Sequence, residues 1–164
     1  LFFLTPTIND MTTKPRILQV GSLSGSPSAN QRLANDYDVF ELWKHGDRKA
    51  ALTDHGKGIT AVVTSATMGA DADLINALPD LKAICSWGVG YETIDVQAAR
   101  ARGVLVSNTP DVLTDCVADL AWGLMIAGAR RMSLGDRFVR AGRWGQVHGN
   151  IPLGTRVSGK KLGV

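Results

Sequence analysis

Residues 59–65 read Ile59-Thr60-Ala61-Val62-Val63-Thr64-Ser65. Branched and apolar side chains follow one another here without a polar alternation. That pattern predicts a strand buried on both faces, the usual state of a strand inside a parallel sheet. Gly56 and Gly58 stand just before it and stop a helix over Asp47–His55, for which Asp47 is a plausible cap. Downstream, Asp71–Leu78 reads as a helix closed by Pro79, and Leu81–Trp87 as the next strand. Thr93–Arg102 reads as a helix with Gly103 past its end, and Val104–Ser107 as another strand. Upstream, Ile17–Val20 and Val39–Leu42 read as strands flanking a short helix over Ser28–Asn35.

Five strands separated by four helices within about 90 residues predict an α/β fold: a doubly wound, five-stranded parallel sheet with a flavodoxin-like strand order. This domain is expected over residues 14–109. Residues 1–13 are expected to be a disordered or mis-assigned extension. The opening LFFLTPTIND lacks a basic flank and is a poor signal peptide. After Thr109-Pro110 the alternation ends, and residues 110–164 form a second region. Its helix, Leu113–Ala129, is apolar on nearly all sides and is therefore expected to be buried on nearly all sides. Ser133-Leu134-Gly135-Asp136 resembles a capping box opening a second helix to about Arg140. Lys160–Val164 reads as the start of a strand.

Composition narrows the function classes. The 164 residues are 45% hydrophobic and 20% charged, which excludes intrinsic disorder, collagen and coiled coil. Two cysteines, Cys85 and Cys116, cannot build a disulfide scaffold or a four-ligand zinc site. Both sit in apolar runs and are expected to be buried reduced thiols. The net charge is +3, and Arg130, Arg131, Arg137, Arg140 and Arg143 carry most of the excess. They read as a solvated helix face, so nucleic acid is not an expected partner. The longest apolar run, Cys116–Ala129, is broken by Asp119 and is shorter than the ~20 residues a bilayer needs. No membrane partner is expected, and a cytoplasmic location is.

In an open parallel sheet, ligands bind beyond the carboxyl ends of the strands. Three loops qualify: Gly21–Asn30, Ser65–Ala70 and Gly88–Thr93. The third reads Gly88-Val89-Gly90-Tyr91-Glu92-Thr93 between a strand and a helix. Small residues there let backbone N–H groups close on a carboxylate or phosphate without a basic side chain. As a dinucleotide fingerprint the stretch fails at its third glycine, where Thr93 would crowd the helix–strand contact. On spacing alone a plain glycine turn without a ligand is the better explanation. His45, His55 and His148 show no metal-ligand spacing and read as surface residues, so no metal site is expected. Trp87, Trp122 and Trp144 read as core or interface anchors.

Three linked motifs add a resemblance. Ser86-Trp87-Gly88-Val89-Gly90-Tyr91, then Asn108-Thr109-Pro110-Asp111-Val112-Leu113-Thr114, then Arg140-Ala141-Gly142-Arg143-Trp144 occur in this order within LKAICSWGVGYETIDVQAARARGVLVSNTPDVLT and the sequence that follows. The chain resembles the D-isomer-specific 2-hydroxyacid dehydrogenase family over roughly Lys14–Val164. It is most similar to the glyoxylate/hydroxypyruvate and hydroxyphenylpyruvate reductase branch. The resemblance implies two flavodoxin- and Rossmann-like domains around a cleft, and hydride transfer between NAD or NADP and a small 2-oxo acid, giving a D-2-hydroxy acid.

It also implies roles for individual residues. The amides of Val89 and Gly90 would bind the substrate carboxylate, and Thr114 would lie beside the nicotinamide. The helix after Thr114 would open a Rossmann domain, incomplete in these residues, and a homodimer would form through 111–144. The family's glycine fingerprint and its catalytic Arg, Glu and His would fall beyond Val164. No catalytic residue is therefore assigned in this chain. It is expected to be a substrate-domain portion that neither binds NAD(P) nor turns over alone. The alternative is a stand-alone small-carboxylate-binding or dimerisation module without catalysis.

Overall fold

A computed structural model describes residues 14–23, 25–146 and 151–163. The expected extension over 1–13 lies outside the described residues, as does His148. The chain divides into two compact units between Asp111 and Val112.

The first unit alternates strand and helix. Its elements are β1 (Arg16–Gln19), α1 (Pro27–Asp36), β2 (Asp38–Glu41), α2 (Arg48–His55), β3 (Ile59–Ser65), α3 (Ala72–Ala77), β4 (Ala83–Trp87), α4 (Val96–Ala101) and β5 (Leu105–Ser107). All pairings are parallel and the strand order is β2-β1-β3-β4-β5. This is the expected doubly wound sheet. The step from β1 to β2 runs opposite to the three later steps. With right-handed crossovers, α1 therefore covers one face and α2, α3 and α4 cover the other.

The two faces are unequally sealed. Leu18, Val62 and Ile84, from three neighbouring strands, are wholly buried with Leu74, Ile75, Leu78 and Ala99. On the α1 face, Ile17, Ala61, Val63, Cys85 and Trp87 line an open groove of about 470 Å³. A helix is about 10 Å across and neighbouring strands lie ~4.8 Å apart, so one helix shields about two strands. The expectation that β3 is buried on both faces is corrected accordingly, since Ala61 and Val63 are only half-buried. Cys85, expected to be buried, is exposed for the same reason.

Aspartates start the helices of the sealed face. Asp47, Asp71 and Asp95 each accept the backbone N–H three residues on, from Ala50, Leu74 and Ala98. Such caps satisfy one orphan donor each and are worth about 1 kcal/mol. Arg102 closes α3 from the other end. Its guanidinium donates to the carbonyls of Ile75, Leu78 (2.8 Å) and Pro79 (3.2 Å).

The second unit holds α5 (Thr114–Ala129) and α6 (Met132–Arg140). The expected burial of the first of these is not found: α5 has no buried residue, and Leu120 and Leu124 are 62% and 63% exposed. Cys116 on the same helix is exposed too, against expectation. A helix apolar all round needs cover on several sides, and one short neighbour cannot provide it. The expected capping box is also corrected. Ser133 lies inside α6, whose N-cap is Arg131 in the left-handed region (φ 56°) with no side-chain cap bond. Residues 160–163 form no strand, because an extended segment needs a ladder partner and finds none among the described residues. Among the described residues, no helix is long and apolar enough to cross a membrane.

Candidate functional site

Parallel pairing puts the carboxyl ends of β1, β3 and β4 on one side of the sheet, and the three loops that follow come together there. A Cβ on Gly25 would meet the Trp87 ring at 3.1 Å, and one on Gly90 would meet the Ala66 methyl at 3.3 Å. Thr93 Oγ1 donates to the Ala66 carbonyl (2.8 Å). Ala70 N–H donates to the Thr93 carbonyl (3.1 Å), and Asp95 N–H to the Ala70 carbonyl (2.9 Å). Gly69, at φ 68°, passes so close to the Thr93 carbonyl that only glycine fits.

This bridge corrects the expected helix over Thr93–Arg102. Residues 91–94 are held as a turn against the neighbouring loop, and α4 begins only at Val96, after the Asp95 cap. Thr93 is therefore not the third position of a fingerprint. This loop does not form the pyrophosphate turn of a dinucleotide fingerprint. The Gly88-Val89-Gly90 turn opens no helix directly, and the α4 N-terminus already holds the Asp95 carboxylate.

The glycine loop itself is tied to the chain leaving β5. Gly88 N–H donates to Thr109 Oγ1 (3.1 Å), and Thr109 N–H donates to the Gly88 carbonyl (3.0 Å). Asn108 Nδ2 donates to the Val89 carbonyl (2.7 Å). Gly88 has φ 131°, a conformation that side chains rarely adopt. The backbone N–H groups of Val89 and Gly90 have no acceptor among the described residues. Val89 is 42% exposed and Gly90 is half-buried. Ser65 Oγ and Thr67 Oγ1, 3.0 Å apart, add hydroxyls on the adjoining loop. The Glu92 carboxylate is the nearby charge: its oxygen would lie 2.7 Å from a Cβ on Gly90.

Such an arrangement can cradle a small anion on two amides. No arginine or histidine bonds to the loop among the described residues. His45 instead stacks on Phe40 and His55 lies tilted against it, with ring centroids 4.7 and 4.9 Å away, a grouping their sequence spacing did not reveal. No group of three metal-ligating residues occurs among the described residues. Trp87, Trp122 and Trp144 are about half exposed or more, so none is a core residue here. Val89 and Gly90 fall together in the loop, whereas Thr114 is the first residue of α5 in the second unit. The residues that sequence reasoning missed are Asn108 and Thr109. Their motif was visible, but their bonds to the glycine loop were not.

Comparison with known proteins gives the family. Glyoxylate/hydroxypyruvate reductase A of Arabidopsis thaliana is 42% identical over 132 residues, covering 80% of this chain and 42% of that protein. The structure of a 2-hydroxyacid dehydrogenase from Ketogulonicigenium vulgare superposes with a TM-score of 0.77 at 41% identity, covering 88% of this chain and 45% of that one. The NADPH-dependent glyoxylate/hydroxypyruvate reductase of Sinorhizobium meliloti, solved with NADP and malonate, gives 0.71 at 34% identity, covering 87% and 42%. The chain thus spans less than half the length of these relatives. Residues 18–156 match the catalytic domain of the D-isomer specific 2-hydroxyacid dehydrogenases, and the chain belongs to that family.

Proposed function

We propose that this chain supplies the substrate-carboxylate site of an NAD- or NADP-dependent reductase that converts a small 2-oxo acid to a D-2-hydroxy acid. The observation that carries the reading is the pair of amides at Val89 and Gly90, without an acceptor among the described residues, in the loop after β4 in a family of this chemistry. Each amide would donate to a carboxylate oxygen, a charge-assisted bond stronger than a neutral one. With Glu92 nearby and no cation on the loop, the affinity of the chain alone is about millimolar. The solved relative that carries malonate, itself a small carboxylate, supports the ligand class.

Thr114 is the residue we assign to the nicotinamide end of the cofactor. Its support is its place in the Asn108–Thr114 motif. The chain's own residues would bind and orient the acid. They include no group assigned to deliver its proton, so the 164-residue chain is expected not to oxidise NADH or NADPH with glyoxylate. We further read residues 111–144 as a homodimer contact, on the strength of the exposed apolar face of α5. The free thiols of Cys85 and Cys116 suit a reducing compartment such as the cytoplasm.

The test is a titration of the isotope-labelled chain with oxamate, a non-reactive 2-oxo acid analogue. Amide shifts centred on Val89 and Gly90 are the expected result. Shifts centred elsewhere reject the site.

A further inference from the structure

The two amides of the glycine loop are aimed by two residues that no sequence motif assigns to binding. A trans peptide holds its C=O and N–H pointing in opposite directions. The Gly88 carbonyl shares its peptide plane with the Val89 N–H, and the Val89 carbonyl shares its plane with the Gly90 N–H. No peptide among the described residues is cis. Fixing each carbonyl therefore fixes the direction of the amide behind it.

Both carbonyls are fixed, and by adjacent residues. Thr109 N–H holds the Gly88 carbonyl at 3.0 Å, and Asn108 Nδ2 holds the Val89 carbonyl at 2.7 Å. Ordinary extended backbone turns successive carbonyls to opposite sides. Here both bond to the Asn108–Thr109 segment instead. Each N–H group consequently points away from the bond that its peptide carbonyl makes. The Thr109 hydroxyl closes the clamp by accepting from Gly88 N–H at 3.1 Å.

We propose that Asn108 is a positioning residue: its amide group, with Thr109, orients the Val89 and Gly90 N–H groups as an anion cradle. In this role Asn108 acts through the loop, by its bond to the Val89 carbonyl. The inference rests on the carboxylate reading above for its purpose but not for its geometry, and the two are separable.

The experiment compares the wild-type chain with Asn108→Asp and Asn108→Ala. Aspartate keeps the shape and replaces the donor with an acceptor, which faces the Val89 carbonyl with a repulsive partner. Alanine removes the group. The first readout needs no ligand: residual dipolar couplings report the direction of the Gly90 N–H in the free chain. The expected result is a changed Gly90 coupling in both variants while the couplings of β4 stay as in wild type. The second readout is oxamate affinity, expected to fall about tenfold or more in both variants, the loss of roughly one charge-assisted bond. A purely structural role would lower the melting temperature without moving either quantity.

Unchanged Gly90 couplings in the folded variants overturn the proposal. So does the loss of the folded spectrum in both, because Asn108 would then hold the domain together rather than aim the loop. If the couplings change but wild type itself shows no oxamate shifts at Val89 and Gly90, the clamp stands and the carboxylate reading fails.

Discussion

The two units use apolar residues to opposite ends. In the sheet unit, Leu18, Val62 and Ile84 are wholly buried, and a continuous core joins three strands to three helices. In the helical unit, α5 is richer in apolar residues than any helix of the sheet unit, yet none of its side chains is buried. Hydrophobicity along a sequence records which residues require cover. Whether the chain provides that cover depends on how many elements are at hand to pack. The sheet has enough on one face and too few on the other, and α5 has too few altogether.

The sharpest way to break this comparison is a matched pair of truncations. Ile84→Ala opens a cavity in a sealed core and is expected to cost about 2–5 kcal/mol, read by denaturant unfolding. Leu120→Ala, on the exposed face of α5, is expected to change stability by less than about 0.5 kcal/mol. Equal costs would mean that α5 is covered in solution. Self-association sharpens the point. An exposed apolar helix face of this kind drives association. Sedimentation of the wild-type chain is expected to show concentration-dependent oligomers. Leu120→Glu with Leu124→Lys, a helix-compatible pair four residues apart, is expected to weaken them about tenfold. A monomeric wild type at high concentration would contradict this.

The smallest effect belongs to the site. Glu92→Gln removes a negative charge beside the cradle, and like charges about 5 Å apart in water repel by under 1 kcal/mol. Oxamate should therefore bind about threefold tighter to this variant, measured by the same amide titration. Weaker binding would mean that Glu92 helps to shape the loop.

Much of the sheet unit was readable because its signals are local. The run at 59–65 and the glycines and prolines around it are visible without knowing the fold, and every strand was located to within two residues. Helix starts were less legible. Asp95 caps α4 only because residues 91–94 are held against the 65–70 loop, a contact 25 or so residues away in the sequence. The motif-like Ser133–Asp136 lost to a left-handed Arg131. At the site, Gly88 and Gly90 announced themselves as glycines. The clamp by Asn108 and Thr109 did not, because it follows from register. Cys85 pairs with Ser107, so the residues just past β5 arrive beside the residues just past β4. No local pattern encodes that neighbourhood.

The guanidinium of Arg102 carries a consequence for the order in which the fold is made. α3 is six residues long, far too short to hold as an isolated helix in water. Its last carbonyls are occupied by a side chain from the end of α4, 24 residues further on from Leu78. Synthesis proceeds from the N-terminus, and domains fold as units. A ribosome therefore delivers α3 well before it delivers the group that finishes it. During that interval β3 is exposed along the edge where β4 will dock, and the first half of the sheet waits on the second. The last carbonyls of α3 stay without this partner until residue 102 has been made.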